Sequence, residues 1–316
     1  MSRSAPPKLA HVPDADSPVR VVVGWDVANT EAVELAAWLG RSMPVSVQVV
    51  AAVQSPLVRA LTKGSKKRKT RMKEAKEAFR TRVTKTLDEH LPRSQWSDEV
   101  ARLVDRKDAV RSLYDTAADF DADLIVLGSR AKTPKGRFRP TSLADELMGS
   151  SPVPLGLAPR GVKLSKKGVT RINYAIVDSD HAAEQDFAGL RYATALACWL
   201  RLPLRIIAFS SVDYRDQPAQ WNEEVLGMLD RARDDAWSTA AELIPDHLEQ
   251  FDVHSSVSAA KSWKRAIDSV KWKKGDLLCL GSQPSGQLKS VIVGTREGEF
   301  VRFASVPVII CPHAES

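Results

Sequence analysis

The chain has 316 residues, 43% hydrophobic and 27% charged, a profile that fits two folded domains and excludes an intrinsically disordered protein. No stretch approaches the roughly 18 consecutive apolar residues of a membrane span, and the opening "MSRSAPPKLAHVPDADSP" lacks the apolar middle of a secretory signal, so a cytoplasmic, non-membrane protein is expected. The net charge of +7 leaves an anionic partner open, while Cys198, Cys279 and Cys311, all in apolar segments without CxxC spacing, read as buried thiols rather than as disulfides or zinc ligands.

Residues 1 to 17 read as a flexible arm. The β-branched run "VRVVVGWD" (Val19 to Asp26) predicts a buried strand ending in a carboxylate. "NTEAVELAAWLGR" then predicts a helix, with Asn29 or Thr30 as its N-cap and Ala32, Leu35, Ala36 and Leu39 on its buried face. A second strand at "PVSVQVVAAV" leads to a long charged helix from about Ser65 to His90. It begins inside "KGSKKRKTRMK" (Lys63 to Lys73), where seven of eleven residues are cationic. A third strand, "DEVARLVD", a helix at Asp108 to Phe120, a fourth strand, "DLIVLG", and a last strand, "VPLGLAP", complete the first half.

"PRGVKLSKKGVT" lacks apolar periodicity and reads as a linker, placing domains at 18–159 and 171–316 with residues 160–170 between them. The same order of elements then recurs. "RINYAIVD" ends at Asp178, and "HAAEQDFAGLRYATALACWLR" is helical. Next come a strand at "PLRIIAFSSV", a helix from Ala219 to Ile244, a strand within "LEQFDVHSSV" and a helix from Ser262 to Trp272. "DLLCLG" and "VPVIICP" are the last two strands.

Sliding the chain against itself by 153 residues superposes Gly128 on Gly281, Ser129 on Ser282, Ser142 on Thr295 and Pro154 on Pro307. A repeat at this spacing makes the chain one unit used twice. The pattern predicts an α/β fold of two repeated, doubly wound, parallel five-stranded sheets with helices on both faces. Pseudo-twofold packing of the halves, or a homodimer, follows as the simplest arrangement, with the final strands as natural edges.

In such sheets ligands sit beyond the carboxyl ends of the strands, where strand order reverses. Asp26 and Asp178 close the first strands on that side, and the loops from Gly128 and from Gly281 follow the fourth. The loop "GSQPSGQLKSVIVGT" is no P-loop, because Gln287 and Leu288 separate Gly286 from Lys289. The two halves resemble tandem universal stress protein domains, and the resemblance runs from Val19 to Pro312. It implies a fold of the adenine-nucleotide alpha-hydrolase type and, in members that bind ATP, a first-strand Asp against adenine with a loop of the form G, two residues, G, nine residues, G, then S or T around ribose and phosphates.

The first half reads Gly128, Ala131, Thr141, Ser142 at those positions, and the second reads Gly281, Pro284, Gly294, Thr295. The added Cβ atoms at Ala131 and Thr141, and the N–H lost at Pro284, damage the loop. The resemblance therefore gives Asp178, Gly281, Gly294 and Thr295 as the favoured nucleotide site and Asp26, Gly128 and Ser142 as its counterpart, and the loop cations Arg130 and Lys289 are read as phosphate contacts. The loop cations Lys132, Lys135, Arg137 and Arg139 fall on the same expected ligand side.

ATP is the expected ligand, and Mg²⁺ shared by Asp178 and Asp180 is left open. Against this, an Asp at a strand end is a common turn former or helix cap, and degenerate loops serve as plain connectors. The six histidines form neither HExxH nor a visible triad, so a noncatalytic or feebly hydrolytic protein is expected, and the resemblance implies a stress-response regulator. The alternatives are a ligand-free protein-interaction scaffold and a nonspecific nucleic-acid binder working through the basic segments. Specific nucleic-acid recognition is disfavoured by the scarcity of aromatics among the cations.

Overall fold

The computed structural model describes residues 17–25, 29–53, 65–105, 109–148, 151, 153–177, 187–281 and 296–311. The first half runs β1 (Val19–Trp25), α1 (Glu31–Leu39), β2 (Val45–Val53), α2 (Ser65–His90), β3 (Trp96–Asp105), α3 (Ala109–Asp119), β4 (Leu124–Gly128), α4 (Ser142–Met148) and β5 (Leu155–Ala158). The second runs β6 (Arg171–Val177), α5 (Ala188–Leu200), β7 (Leu204–Ser210), α6 (Trp221–Leu243), β8 (Val253–Ala259), α7 (Trp263–Ser269), β9 (Asp276–Gly281), α8 (Arg296–Phe303) and β10 (Val308–Cys311).

The strands form one ten-stranded sheet in the order β3-β2-β1-β4-β5-β10-β9-β6-β7-β8. Within each half neighbouring strands are parallel. The halves meet where β5 pairs antiparallel with β10, Leu157 opposite Val308 and Leu155 opposite Ile310. The two expected five-stranded units are thus fused edge to edge, and the strand order reads as a palindrome about that join.

Side chains that alternate along each strand sort into two apolar layers. Val21, Val23, Leu124, Val126, Ile172 and Cys279 face one side, where they pack with residues of α1, α2, α5 and α6. Val22, Ile125, Leu127, Leu155, Leu278 and Val308 face the other, with residues of α3, α4, α7 and α8. Strands covered on both faces read as near-continuous apolar runs, which is the pattern "VRVVVGW" and "DLLCLG" show. α6 shows the helical counterpart: Val225, Met228, Leu229, Ala232, Ala236 and Ala240 are buried at the 3,4 spacing of one face.

The repeated Asp before each fourth-strand run has a structural task. Asp123 accepts the Arg20 N–H (2.8 Å), and Asp276, fully buried, accepts from Arg171 at both oxygens (2.8 and 2.7 Å) and from the Lys273 N–H (2.8 Å). Arg205 completes that cluster, 3.7 Å from Asp276 and stacked over Trp272 at 5.3 Å. Burial pulls the Arg205 guanidinium down to about 10, with repulsion from Arg171 adding to the effect and attraction to Asp276 opposing it. Cys198, Cys279 and Cys311 are buried free thiols. Burial pushes Cys198 up to about 11 and Cys311 well above its ordinary range, which leaves both neutral and poorly nucleophilic.

Three boundaries differ from expectation. β3 begins earlier, at Trp96, because a bulge between Val47 and Val49 lets Trp96 pair with Val47. Residues Leu248 to Gln250 belong to a 3-10 segment, Pro245–Gln250, that Pro245 initiates, so β8 begins only at Val253. α7 stops at Ser269, since Val270 is extended and the Trp272 indole N–H takes up the Ile267 carbonyl (2.8 Å). The connector between halves has no regular element but is pinned at both sides, by Val169 N–H to Ser42 Oγ (2.7 Å) and Ser165 N–H to the Lys274 carbonyl (2.9 Å).

Candidate functional site

Strand order in the first half reverses between β1 and β4, and a cavity of about 640 Å³ opens beyond their carboxyl ends. Gly24, Trp25, Leu127 and Gly128 from the strand ends, with Val50 of β2 and Val104 of β3, form one side of it. Ala109, Val110, Leu113 and Tyr114 of α3 form another, and Asn29, Arg111, Ser142 and Glu146 add polar groups. Asp115, Thr141 and Tyr114 add further polar groups, so apolar strand and helix side chains and polar groups converge on one concave space, as in small-molecule sites.

Packing fixes the lining. Trp25 is buried, lies 6.3 Å from the Phe79 ring, has the Arg82 guanidinium 5.9 Å above it and donates its indole N–H to the Asn29 carbonyl. The Asn29 side chain donates in turn to the Ser129 carbonyl (3.3 Å), tying the entrance of α1 to the loop after β4. Arg111 pairs loosely with Asp115 one turn along α3 (3.8 Å).

The loop from Ser129 to Thr141 is closed on itself. Ser129, buried, accepts the Arg139 N–H (2.9 Å) and donates to Thr133 Oγ1 (2.9 Å), while the Arg130 N–H reaches the Arg139 carbonyl (2.9 Å). The Thr133 N–H goes to Arg130 (3.0 Å) and the Gly136 N–H to Arg160 (2.7 Å), and Phe138 is fully buried beneath the loop. Backbone donors that would cradle a phosphate are therefore spent internally at Arg130, Thr133, Gly136 and Arg139. Thr141, where the motif wants Gly, caps α4: its hydroxyl accepts from the Ala144 N–H (3.1 Å) and its carbonyl from the Asp145 N–H (2.9 Å).

Of the expected site residues, Gly128 and Ser142 line the cavity. Arg130 is exposed and is not among its lining residues. Gly281 ends β9 with its backbone against Gly189 of α5, so close that a Cβ on Gly189 would stand 2.4 Å from the Gly281 Cα. Helix packing thus supplies a reason for the glycines there. Asp26, Asp178, Lys289, Gly294 and Thr295 lie outside the described residues, as do Asp180 and Pro284. Among the described residues no group of three or more His, Cys, Asp or Glu side chains is arranged to hold a metal ion, and no helix is long and apolar enough to cross a membrane.

One expectation is corrected. Arg137 does not face a ligand: it grips both oxygens of Asp268 on α7 (2.7 and 3.0 Å) and the Phe303 carbonyl after α8 (3.1 Å), all in the other half. Burial raises the Asp268 carboxyl, but hydrogen bonds from Lys264 and Arg137 outweigh it and hold the group below the usual carboxylate range. Sequence reasoning missed Trp25, Asn29 and Arg111. Their position at the carboxyl ends of β1 and β3, on the side where ligands enter, was the available signal.

Residues 18–158 match the family described as the universal stress protein family. Universal stress proteins of Mycobacterium tuberculosis and Mycobacterium bovis are each 27% identical to the chain over 206 residues, covering 63% of it and 68% of their own length. The crystal structure of a universal stress protein from Archaeoglobus fulgidus superposes with a TM-score of 0.59 at 16% identity, covering 96% of this chain and 98% of that one. That of a putative universal stress protein from Pseudomonas aeruginosa gives 0.50 at 11% identity, covering 95% of each. At those identities the two structures speak to the fold alone.

Proposed function

We infer, from the premise that the chain belongs to the universal stress protein family through residues 18–158, that it is a cytoplasmic stress-response regulator controlled by an adenine nucleotide in the first-half cavity. Family membership supports the stress-response role. The observation that carries the ligand reading is the cavity of about 640 Å³ at the switch point, with Gly128 and Ser142 of the degenerate motif in its lining.

The base and ribose would fill the chamber between β2, β3 and α3. Phosphates would face Ser142 and Arg111 at the rim, since the loop amides are already bonded. Signalling needs a ligand with different affinity for two arrangements of the protein. The loop that starts at the cavity with Gly128 also holds the second half through Arg137, which joins the two events physically.

Mass spectrometry of nucleotide released from the purified chain, with calorimetric titration of ATP, ADP, AMP and adenosine, tests this. Binding is expected, with loss in Val110→Trp, a substitution that fills the chamber from α3 while circular dichroism stays unchanged. No released nucleotide and no heat at millimolar concentrations of all four would refute it. The self-bonded loop favours a second reading, a ligand-free scaffold, which that negative result would support.

A further inference from the structure

A second concavity, of about 560 Å³, lies where the first half, the connector and the second half come together. The last turns of α1 and α2 contribute to it. Helices in a parallel sheet run antiparallel to the strands, so it sits at the amino ends of the strands, opposite the cavity above, and shares no lining residue with it.

Its chemistry is one-sided. Arg41 follows α1, Lys163 and Lys166 belong to the connector, and Lys274 precedes β9; all four are exposed, and none is in an ion pair among the described residues. His90, half-buried at the end of α2, adds a fifth nitrogen group. Among the described lining residues the one carboxylate is Glu34, and it accepts a hydrogen bond from the Thr30 hydroxyl. Trp38 is fully buried in the same lining, and its indole N–H has no hydrogen-bond partner among the described residues.

Four cations from three chain segments, none in an ion pair among the described residues, repel one another, and a bound anion relieves that repulsion. Glu34 and Trp38 lie one turn apart on α1, and Arg41 follows in the turn just after the helix. The Arg41 side chain also donates to the Ser165 carbonyl (3.3 Å), and the Ser165 N–H donates to the Lys274 backbone carbonyl (2.9 Å), so the connector is tied to the backbone of both halves beside these cations.

We propose that this groove binds a small polyphosphorylated anion, and that the bound anion clamps the first half, the connector and the second half together. The size fits a compact molecule with several phosphoryl groups rather than a folded partner. The site is independent of the strand-end cavity and of what that cavity holds.

Calorimetric titration of the full chain with sodium tripolyphosphate, at low and at physiological salt, tests the assignment. Binding is expected, weakening as salt rises. Lys163→Gln/Lys166→Gln/Lys274→Gln, which changes only exposed side chains, should weaken it at least tenfold. Lys132→Gln/Lys135→Gln/Lys261→Gln, with the same change in net charge, should leave it intact, as should Val110→Trp. Absence of binding, or equal loss in both triple variants, would overturn the proposal. So would heat from a peptide of consecutive glutamates with none from tripolyphosphate, because the groove would then be a docking site for acidic protein.

Discussion

Gly128 and Gly281 occupy the same place in the repeat, and a Cβ on Gly281 would meet Gly189 and Tyr174 at 3.4 Å; the crowded position is Gly189, opposite Gly281 on α5. A Cβ on Gly189 would lie 2.4 Å from the Gly281 Cα and 2.7 Å from its nitrogen, both backbone atoms that cannot turn aside. Gly189→Ala must therefore push α5 off β9, and the overpacking should cost about 1–3 kcal/mol. At Gly128 the nearest atoms to a Cβ are Ala32 Cβ and N, each at 3.7 Å, which is ordinary contact. Gly128→Ala should change stability by no more than about 0.5 kcal/mol. It places a methyl group at the cavity, however, so its effect should appear as weaker nucleotide binding. Urea melts and titrations of both variants separate the cases: equal destabilisation by the two substitutions would mean that Gly128, too, is held by packing and says nothing about a ligand.

At the scale of elements, the loop after β4 is the piece that behaves unlike a plain connector. Arg137 leaves it to grip Asp268 and the Phe303 carbonyl in the other half, with the Arg137 and Asp268 side chains 21% and 37% exposed. The carboxyl is held below its unfolded value, so its contribution is fully present above ~3.9 and is lost as pH falls through the lower folded value. Arg137→Ala should cost about 1 kcal/mol near neutrality, after allowance for solvent screening. The difference between variant and wild type should shrink on acidification below about pH 4, with Lys264 still holding Asp268 in part. Melting temperatures of both proteins across pH 2.5 to 7 check this, and a difference independent of pH would show that the carboxylate is not the relevant partner. The elements themselves were largely legible: β-branched runs, helical spacing and a repeat of 153 residues place nearly all of them. The cavity was less so. Motif spacing weighs the loop backbone and favours the second half, whereas the described chamber is built by Gly24, Val50, Val104, Ala109 and Leu113, side chains scattered over three strands and a helix. The direction of Arg137 was equally hidden, because only the joined halves bring Asp268 near it.

For the whole molecule, the governing feature is the antiparallel join of β5 to β10. Four-residue strands such as "LGLA" and "VIIC" carry no sign of direction, so the sequence marks them as edges without saying how they pair. All four residues of β5 are buried, and its outer backbone groups are taken up by β10. Residues 1–159 alone would leave that strand as an unpaired apolar edge, a template for another chain. The palindromic strand order shows which chain fits. A second copy of the same half can present its own β5 in the antiparallel sense that β10 now supplies, with Gly156 opposite Gly156 and Leu155 opposite Leu157 in place of Ile310. Glycine replaces Ile309 at the centre, so the homotypic pair loses apolar contact and should be weaker than the native join. Sedimentation velocity of residues 1–159 is expected to show a dimer that dissociates on dilution, while the full chain, whose β5 is already paired, shows no self-association of this kind. A half-chain that stays folded and monomeric at every concentration would mean that the join depends on contacts specific to the second half, the Arg137 to Asp268 grip foremost among them.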